Sequence, residues 1–170
     1  MYPSGDNNTK NPFFDNLYRD RRDINHDFNA NLYAILKLPF GLEYQMNFTP
    51  RYHWYEYMNH ESSQHPEWAG EGGKSERKNE KTFNWLLDHI VRWKQEFGKD
   101  HRVEATFLFN AEKGQWWQTV AKNQQFTPSD VLGYHNIGAG AIPSVSSNDT
   151  YKTGDALMGR IFYSFKDKYL

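Results

Sequence analysis

From Leu42 to Trp54 the chain alternates without a break. Leu42, Tyr44, Met46, Phe48, Pro50, Tyr52 and Trp54 are apolar, aromatic or proline, and Glu43, Gln45, Asn47, Thr49, Arg51 and His53 between them are polar. Period two is the side-chain period of a β-strand, so this stretch predicts a strand with one apolar and one wet face. At the usual rise its residues span about 43 Å. Strands of globular proteins average about five or six residues, so this one asks for a setting that tolerates a long apolar wall.

The same period recurs along the chain. Phe28, Ala30, Leu32, Ala34, Leu36 and Leu38 predict a strand over 28–38, and "PFG" (39–41) a tight turn in which proline presets φ. The alternating strand then covers 41–57. Val103, Ala105, Phe107, Phe109 and Ala111 predict a strand over 101–112, with Leu108 the exception, and Leu157, Ile161, Tyr163 and Phe165 predict another over 155–165. "GKDH" (98–101) and "FKDKY" (165–169) are short turns; 58–81 and 113–154 are expected to be long loops, and 1–27 is polar and turn-rich. Within the second loop "TPSDVLGY" predicts a short helical turn capped by Thr127 or Ser129.

The segment over 82–97 is ambiguous by itself. At helical spacing Phe83, Leu86, Leu87, Ile90, Val91 and Phe97 form one face, interrupted by Lys94; at period two Phe83, Trp85, Leu87, Val91 and Trp93 share a face, with His89 the exception. Context decides for the strand. Connections alternate short, long, short, long, short, which is the order of an up-and-down barrel with short periplasmic turns and long extracellular loops. The predicted fold class is therefore all-β: about five antiparallel strands of a larger transmembrane β-barrel, with long extracellular loops and a short loop helix. The aromatics agree, since Tyr44, Trp93, Tyr163 and Phe165 fall near the short turns and Tyr52, Trp54, Phe83 and Trp85 at the far end. Two such girdles mark the membrane–water interfaces of a barrel. The apolar side then faces lipid and the polar side a wet lumen.

Composition sharpens this picture. Mean hydropathy is −0.92, yet 17 % of residues are aromatic, which argues against disorder. Twenty basic residues against 21 acidic ones give a net charge of −1, with no basic excess to favour nucleic acid. There is no cysteine, which removes disulfides, thiolate metal sites and cysteine nucleophiles. "MYPSGDNNTK" lacks the charged-then-apolar pattern of a signal peptide, and no apolar run approaches the roughly 20 residues of a membrane helix.

Three segments also carry a family resemblance. "LMGRIFYSFKDKYL" (157–170) resembles the strand-turn "GR-x-x-YS-x-x-DKYL" of SusC/RagA-type TonB-dependent outer-membrane transporters; "FNWLLDHIVRWKQEFGKDH" (83–101) is similar to their "W-x-L-D-N-x-x-x-W" strand and following turn; and "PSDVLGYHNIGAG" (128–140) is similar to their loop helix and the segment after it. The three occur in the family's order, and the resemblance spans about 10–170. His89 stands where the family often has Asn, and Phe162 where a polar lumen residue is common. The resemblance implies a Gram-negative outer-membrane location and a barrel of about 22 strands with a plug. It also implies import of glycans or peptides, a SusD-like lipoprotein partner docking through the extracellular loops, and energisation by the TonB complex. Plug, TonB box and signal peptide are not expected within this chain, which reads as a fragment of the barrel wall, and the TonB contacts fall outside it. No cofactor is implied.

Candidate chemistry is thin. "AGEGGKS" (69–75) suggests a phosphate loop, but Trp68 stands where that motif needs its first glycine. His60 and His65 share a loop with Glu61 and Glu67 at a spacing that fits no standard metal site. Asn47, Arg51, His53, Asp88 and Glu104 are the candidate lumen-facing substrate contacts, weighed against a plain hydrated lining. Asp88 and Glu104 would make a glycosidase pair only at the right separation. Trp68, Trp116 and Trp117 suit sugar stacking or loop packing equally. No catalytic residue and no metal ligand is assigned. The competing functions are a soluble carbohydrate-binding β-sandwich and a small secreted enzyme; the first would bury one sheet face and turn every 8–12 residues or so.

Overall fold

The computed structural model describes residues 12–126 and 129–166. A short helix α1 (Pro12–Tyr18) leads into six strands: β1 (Arg19–Asn29), β2 (Leu32–Lys37), β3 (Leu42–Glu61), β4 (Lys74–Phe97), β5 (His101–Gln124) and β6 (Ser144–Phe165). They form one sheet in the order β1-β3-β4-β5-β6, with β2 also pairing β3. β2 and β3 are antiparallel, Leu32 opposite Phe48 and Lys37 opposite Glu43. The ambiguous segment 83–97 is strand throughout.

The strands run further than the alternation predicts. β3 continues to Glu61, β4 begins at Lys74, β5 continues to Gln124 and β6 begins at Ser144. Much of the expected loops 58–81 and 113–154 is thus ladder, and the connections shrink to 62–73 and 125–143. The physical reason is in the residues. "KSERKNEK" (74–81) has no apolar face, because a strand wet on both sides needs none, and its backbone hydrogen bonds are satisfied by neighbouring strands. Of the polar stretch 1–27, residues 12–27 are likewise α1 and β1 rather than turns, and residues 1–11 lie outside the described residues.

The strand expected over 28–38 is broken between Asn29 and Leu32. Pro50 explains the break. The Ala30 amide donates to the Pro50 carbonyl at 3.1 Å, but proline has no N–H to return, so one rung of the antiparallel pair is missing. The expected loop helix also moves: the turn over 131–132 leads into a 3₁₀ segment, Gly133–Ala139. The Val131 amide donates to Ser129 Oγ at 3.3 Å, while Thr127 lies outside the described residues.

The chain divides into two compact units. One comprises 27–53, 81–116 and 149–170. Among its described residues only Gly114 is buried. Its apolar side chains stay in the open: Leu32, Leu36, Phe107, Leu157 and Ile161 are 59, 56, 50, 69 and 78 % exposed. Among the described residues no second layer packs on this part of the sheet, which is the opposite of a β-sandwich with its inter-sheet core. A 3₁₀ turn, Pro39–Gly41, closes β2–β3 with positive φ at Phe40 (63°) and Gly41 (73°). A Cβ on Gly41 would run into the Lys94 carbonyl oxygen, so β4 can pass close only because residue 41 is glycine.

The other unit comprises 1–26, 54–80 and 117–148, and the buried hydrophobic residues among the described ones lie here: Met58, Val120, Phe126 and Tyr134. The described residues of the 125–143 connection are tied down rather than loose. Asn123 Nδ2 donates to the carbonyls of Ile137 (2.8 Å) and Gly140 (2.9 Å), and Tyr134 Oη donates to Asp20 at 2.9 Å.

Candidate functional site

The polar face of the first unit is built by strand alternation and by register. Residues Thr49 and Arg51 of β3, Asn84 of β4, Glu112 and Gly114 of β5 and Lys152 of β6 line one cleft of about 220 Å³. Gly114 is its floor. A Cβ there would lie 2.7 Å from Asn84 Oδ1 and 3.2 Å from Lys152 Cε, so both side chains lie across bare backbone. Gly154 plays the same part for Glu112, whose Oε1 would be 3.0 Å from an added Cβ.

Below the cleft the face is a ladder of cross-strand polar pairs. Asn110 Nδ2 donates to Asp88 at 2.6 Å. Arg92 bridges β4 to β3, donating to Glu43 at 2.9 Å and to Gln45 at 2.7 Å, and Gln45 donates to Asn47 at 2.8 Å. Glu104 is held by Lys94 (3.4 Å) and Arg102 (2.9 Å). His53 Nδ1 lies 2.7 Å from Asp27. Cross-strand pairs of this kind suit a hydrated lining.

The five candidate contacts therefore divide. Asn47, His53, Asp88 and Glu104 are engaged with neighbours, and Arg51 opens into the cleft. Asp88 pairs with residue 110 and Glu104 with residue 94, so six residues of strand, about 20 Å, separate the two carboxylates. Glycosidase pairs need about 5–9.5 Å, and the register rules that pairing out. Sequence reasoning missed Asn84, Glu112, Gly114 and Lys152. Gly114 and Gly154, each interrupting a strand, were the available signal.

On the apolar face the rings meet across strands. Tyr44, His89 and Phe109 stack with centroids 6.0 Å apart at each step, Tyr52 meets Phe83 at 6.3 Å, and Trp54 meets His26 at 6.0 Å. The Trp93 indole donates to the Phe40 carbonyl at 3.0 Å. His101 lies 5.0 Å from the Phe165 ring and 2.7 Å from Tyr163 Oη. Trp85 lies on β4 two positions beyond Phe83.

In the other unit the tempting clusters resolve into structure. Lys74 sits over the Trp68 ring at 4.3 Å, and a strand rather than a helix follows "AGEGGKS", so nothing there cradles phosphate. His65 is used twice, against Asp15 (3.1 Å) and the Glu67 amide (3.2 Å). His60 Nδ1 lies 2.8 Å from Ser75 Oγ and its Nε2 3.8 Å from Asp130. That triad-like trio offers no nucleophile, since Ser75 is 0 % exposed and Asp130 is bound by the Ser63 amide (2.5 Å) and the Ser62 hydroxyl (3.0 Å). Among the described residues no three metal-ligating side chains converge, and no helix is long and apolar enough to cross a membrane.

One antiparallel sheet of very long strands, apolar and uncovered on one side and polar on the other, has the fold of a wall segment of a TonB-dependent β-barrel. Within that class the likeness is to the SusC/RagA type. The RagAB peptide importer in its open-open state superposes with a TM-score of 0.79 at 14 % identity over 99 % of this chain and 18 % of that one. Its closed-closed state gives 0.79 at 13 % identity, over 99 % and 19 %. In sequence the chain is 27 % identical over 115 residues to TonB-dependent receptor P26 of Formosa agariphila, covering 64 % of this chain and 11 % of that receptor. The chain thus spans about a tenth of the curated relative and under a fifth of the solved importers. No family model matches.

Proposed function

We propose that this chain is a stretch of the barrel wall of an outer-membrane TonB-dependent transporter of a Gram-negative bacterium, importing glycans or peptides together with a SusD-like lipoprotein. The uncovered apolar face carries this reading. Exposed Leu32, Leu36, Phe107, Leu157 and Ile161 on a single-layer sheet would drive association in water and are at home against lipid. Tyr44, Trp93, Tyr163 and Phe165 would form one interfacial girdle and Tyr52, Trp54, Phe83 and Trp85 the other. The sheet edges, β1 with β2 and β6, would be closed by further strands of the barrel, since unpaired edges are not tolerated in lipid. The connections at 62–73 and 125–143 would face outward and meet the lipoprotein; TonB would engage regions of the transporter outside this chain. The role is transport, with no catalytic step.

The test is circular dichroism with size-exclusion chromatography on the 170-residue chain, in plain buffer and in detergent. Strand signal gained only in detergent, with aggregation in buffer, is the expected result. A compact monomer melting cooperatively in buffer would overturn the wall reading and return the soluble carbohydrate-binding module to first place.

A further inference from the structure

Several basic residues of the polar face are neutralised by carboxylates, and among the described residues those of the cleft, like Arg160 and Lys37 elsewhere on this face, are not. Arg92 has Glu43, and Lys94 and Arg102 share Glu104. Arg51 and Lys152 line the same cleft and have no carboxylate within ion-pair distance among the described residues. The one acid of the cleft, Glu112, leans over Gly154. The nearby acids Asp27 and Asp88 are occupied by His53 and Asn110. The charges of this face at the cleft are Arg51 and Lys152 against Glu112, an excess of positive charge, beside the neutral Thr49 and Asn84 and the apolar Leu86; Lys113, between Glu112 and Gly114, projects to the opposite face.

The hollow is also built rather than incidental. Gly114 and Gly154 remove side chains from adjacent strands at the positions where Lys152, Asn84 and Glu112 lie down. At about 220 Å³ it is smaller than a drug-sized site and holds one monomer of a chain. Trp116 follows Gly114 by two positions on β5, which puts an indole on the same face one step above the cleft.

We infer that this cleft binds a carboxylate of the transported substrate, with Arg51 and Lys152 as the clamping cations and the Asn84 amide as a further donor. This rests on the transporter reading above and deepens it to a substrate class: carboxylate-bearing oligomers. A guanidinium and an ammonium on opposite sides of one hollow suit a carboxylate, which accepts from both. The carboxylate belongs either to a uronate of an acidic glycan or to a peptide.

All the lining residues belong to this chain, so the full 170-residue chain in detergent micelles, with strand content checked by circular dichroism, is the test material. Titration calorimetry compares trigalacturonate with its methyl ester, and a tripeptide with its C-terminal amide. In at least one pair the acid is expected to bind about tenfold more tightly than its neutral form, and the pair that discriminates identifies the source. Arg51→Gln and Lys152→Gln are each expected to abolish that discrimination, and Glu112→Gln to tighten acid binding. Equal binding of acid and neutral forms, no binding of any probe, or unchanged acid affinity in Arg51→Gln and Lys152→Gln chains of parental strand content would overturn the inference. These outcomes leave the wall reading standing, since that falls only if the chain folds as a compact monomer without detergent.

Discussion

The Tyr44 hydroxyl lies 2.6 Å from Nδ1 of His89, on the apolar face of the sheet. His89 is the residue that breaks the alternation of β4, and this contact shows how a polar ring is accommodated there. With the imidazole proton on Nε2, Nδ1 accepts the phenol proton, and the ring stacks between Tyr44 and Phe109. His89→Phe should leave the phenol without its acceptor and cost about 1 kcal/mol. Adding Tyr44→Phe should recover most of that loss. Urea unfolding of the four proteins in detergent gives the coupling energy; a value near zero would mean that the hydrogen bond contributes nothing.

Two glycines at turns should respond differently to alanine. Gly41 and Gly98 both have positive φ, 73° and 68°. At Gly98 an added Cβ meets nothing, whereas at Gly41 it meets the Lys94 carbonyl. Gly98→Ala should cost about 1–2 kcal/mol, the penalty for a Cβ in the left-handed region. Gly41→Ala should cost more, because backbone must also move. Similar unfolding midpoints for the two variants would contradict the close approach of β4.

Pro50 separates β1 from β2 by omitting one donor. Pro50→Val should restore that rung, adding about 1 kcal/mol and a slowly exchanging amide at position 50. Hydrogen exchange on the detergent-solubilised chain reads both. A fast amide at 50 would place the cause of the break elsewhere.

The 125–143 connection should loosen in acid. Burial pushes the Asp130 carboxyl up, but the Ser63 amide, the Ser62 hydroxyl and the charge on His60 together outweigh it and hold the group below its ordinary value. A carboxyl lowered in the folded state adds stability above the unfolded value, about 3.9, and loses it as pH falls through the folded value. Amide protection at Ser63 and Gly133 should therefore be flat above pH 5 or so and fall below about pH 4. Asp130→Asn should show lower protection throughout and no fall. An identical acid limb in wild type and variant would remove Asp130 from the account.

The alternation over 42–54 and 103–111 was enough to assign both faces, because the side-chain period of a strand is two whatever surrounds it. It failed at 58–61, 74–81 and 113–124, where the strands continue without a regular alternation of apolar and polar positions and pairing with neighbours extends them. The segment 83–97 satisfied two periodicities at once, and β3 and β5 on either side decide between them. Of the cleft, only Arg51 could be singled out in advance. The other members sit on three more strands, and nothing local says that 51, 84, 114 and 152 come together.

By itself, then, the sequence determined the secondary-structure class, the two faces of the long strands and the tight turns at 39–41 and 98–100, all set by local chemistry within a few residues; most of the turn expected at 165–169 lies outside the described residues. Register belonged to the tertiary structure. It opposes Asp88 to Asn110 and Lys94 to Glu104, and it leaves Arg51 and Lys152 without partners around a glycine floor. A shift of one residue along any strand would send each of those side chains to the other face, and that alignment depends on the whole length of paired backbone rather than on any one segment.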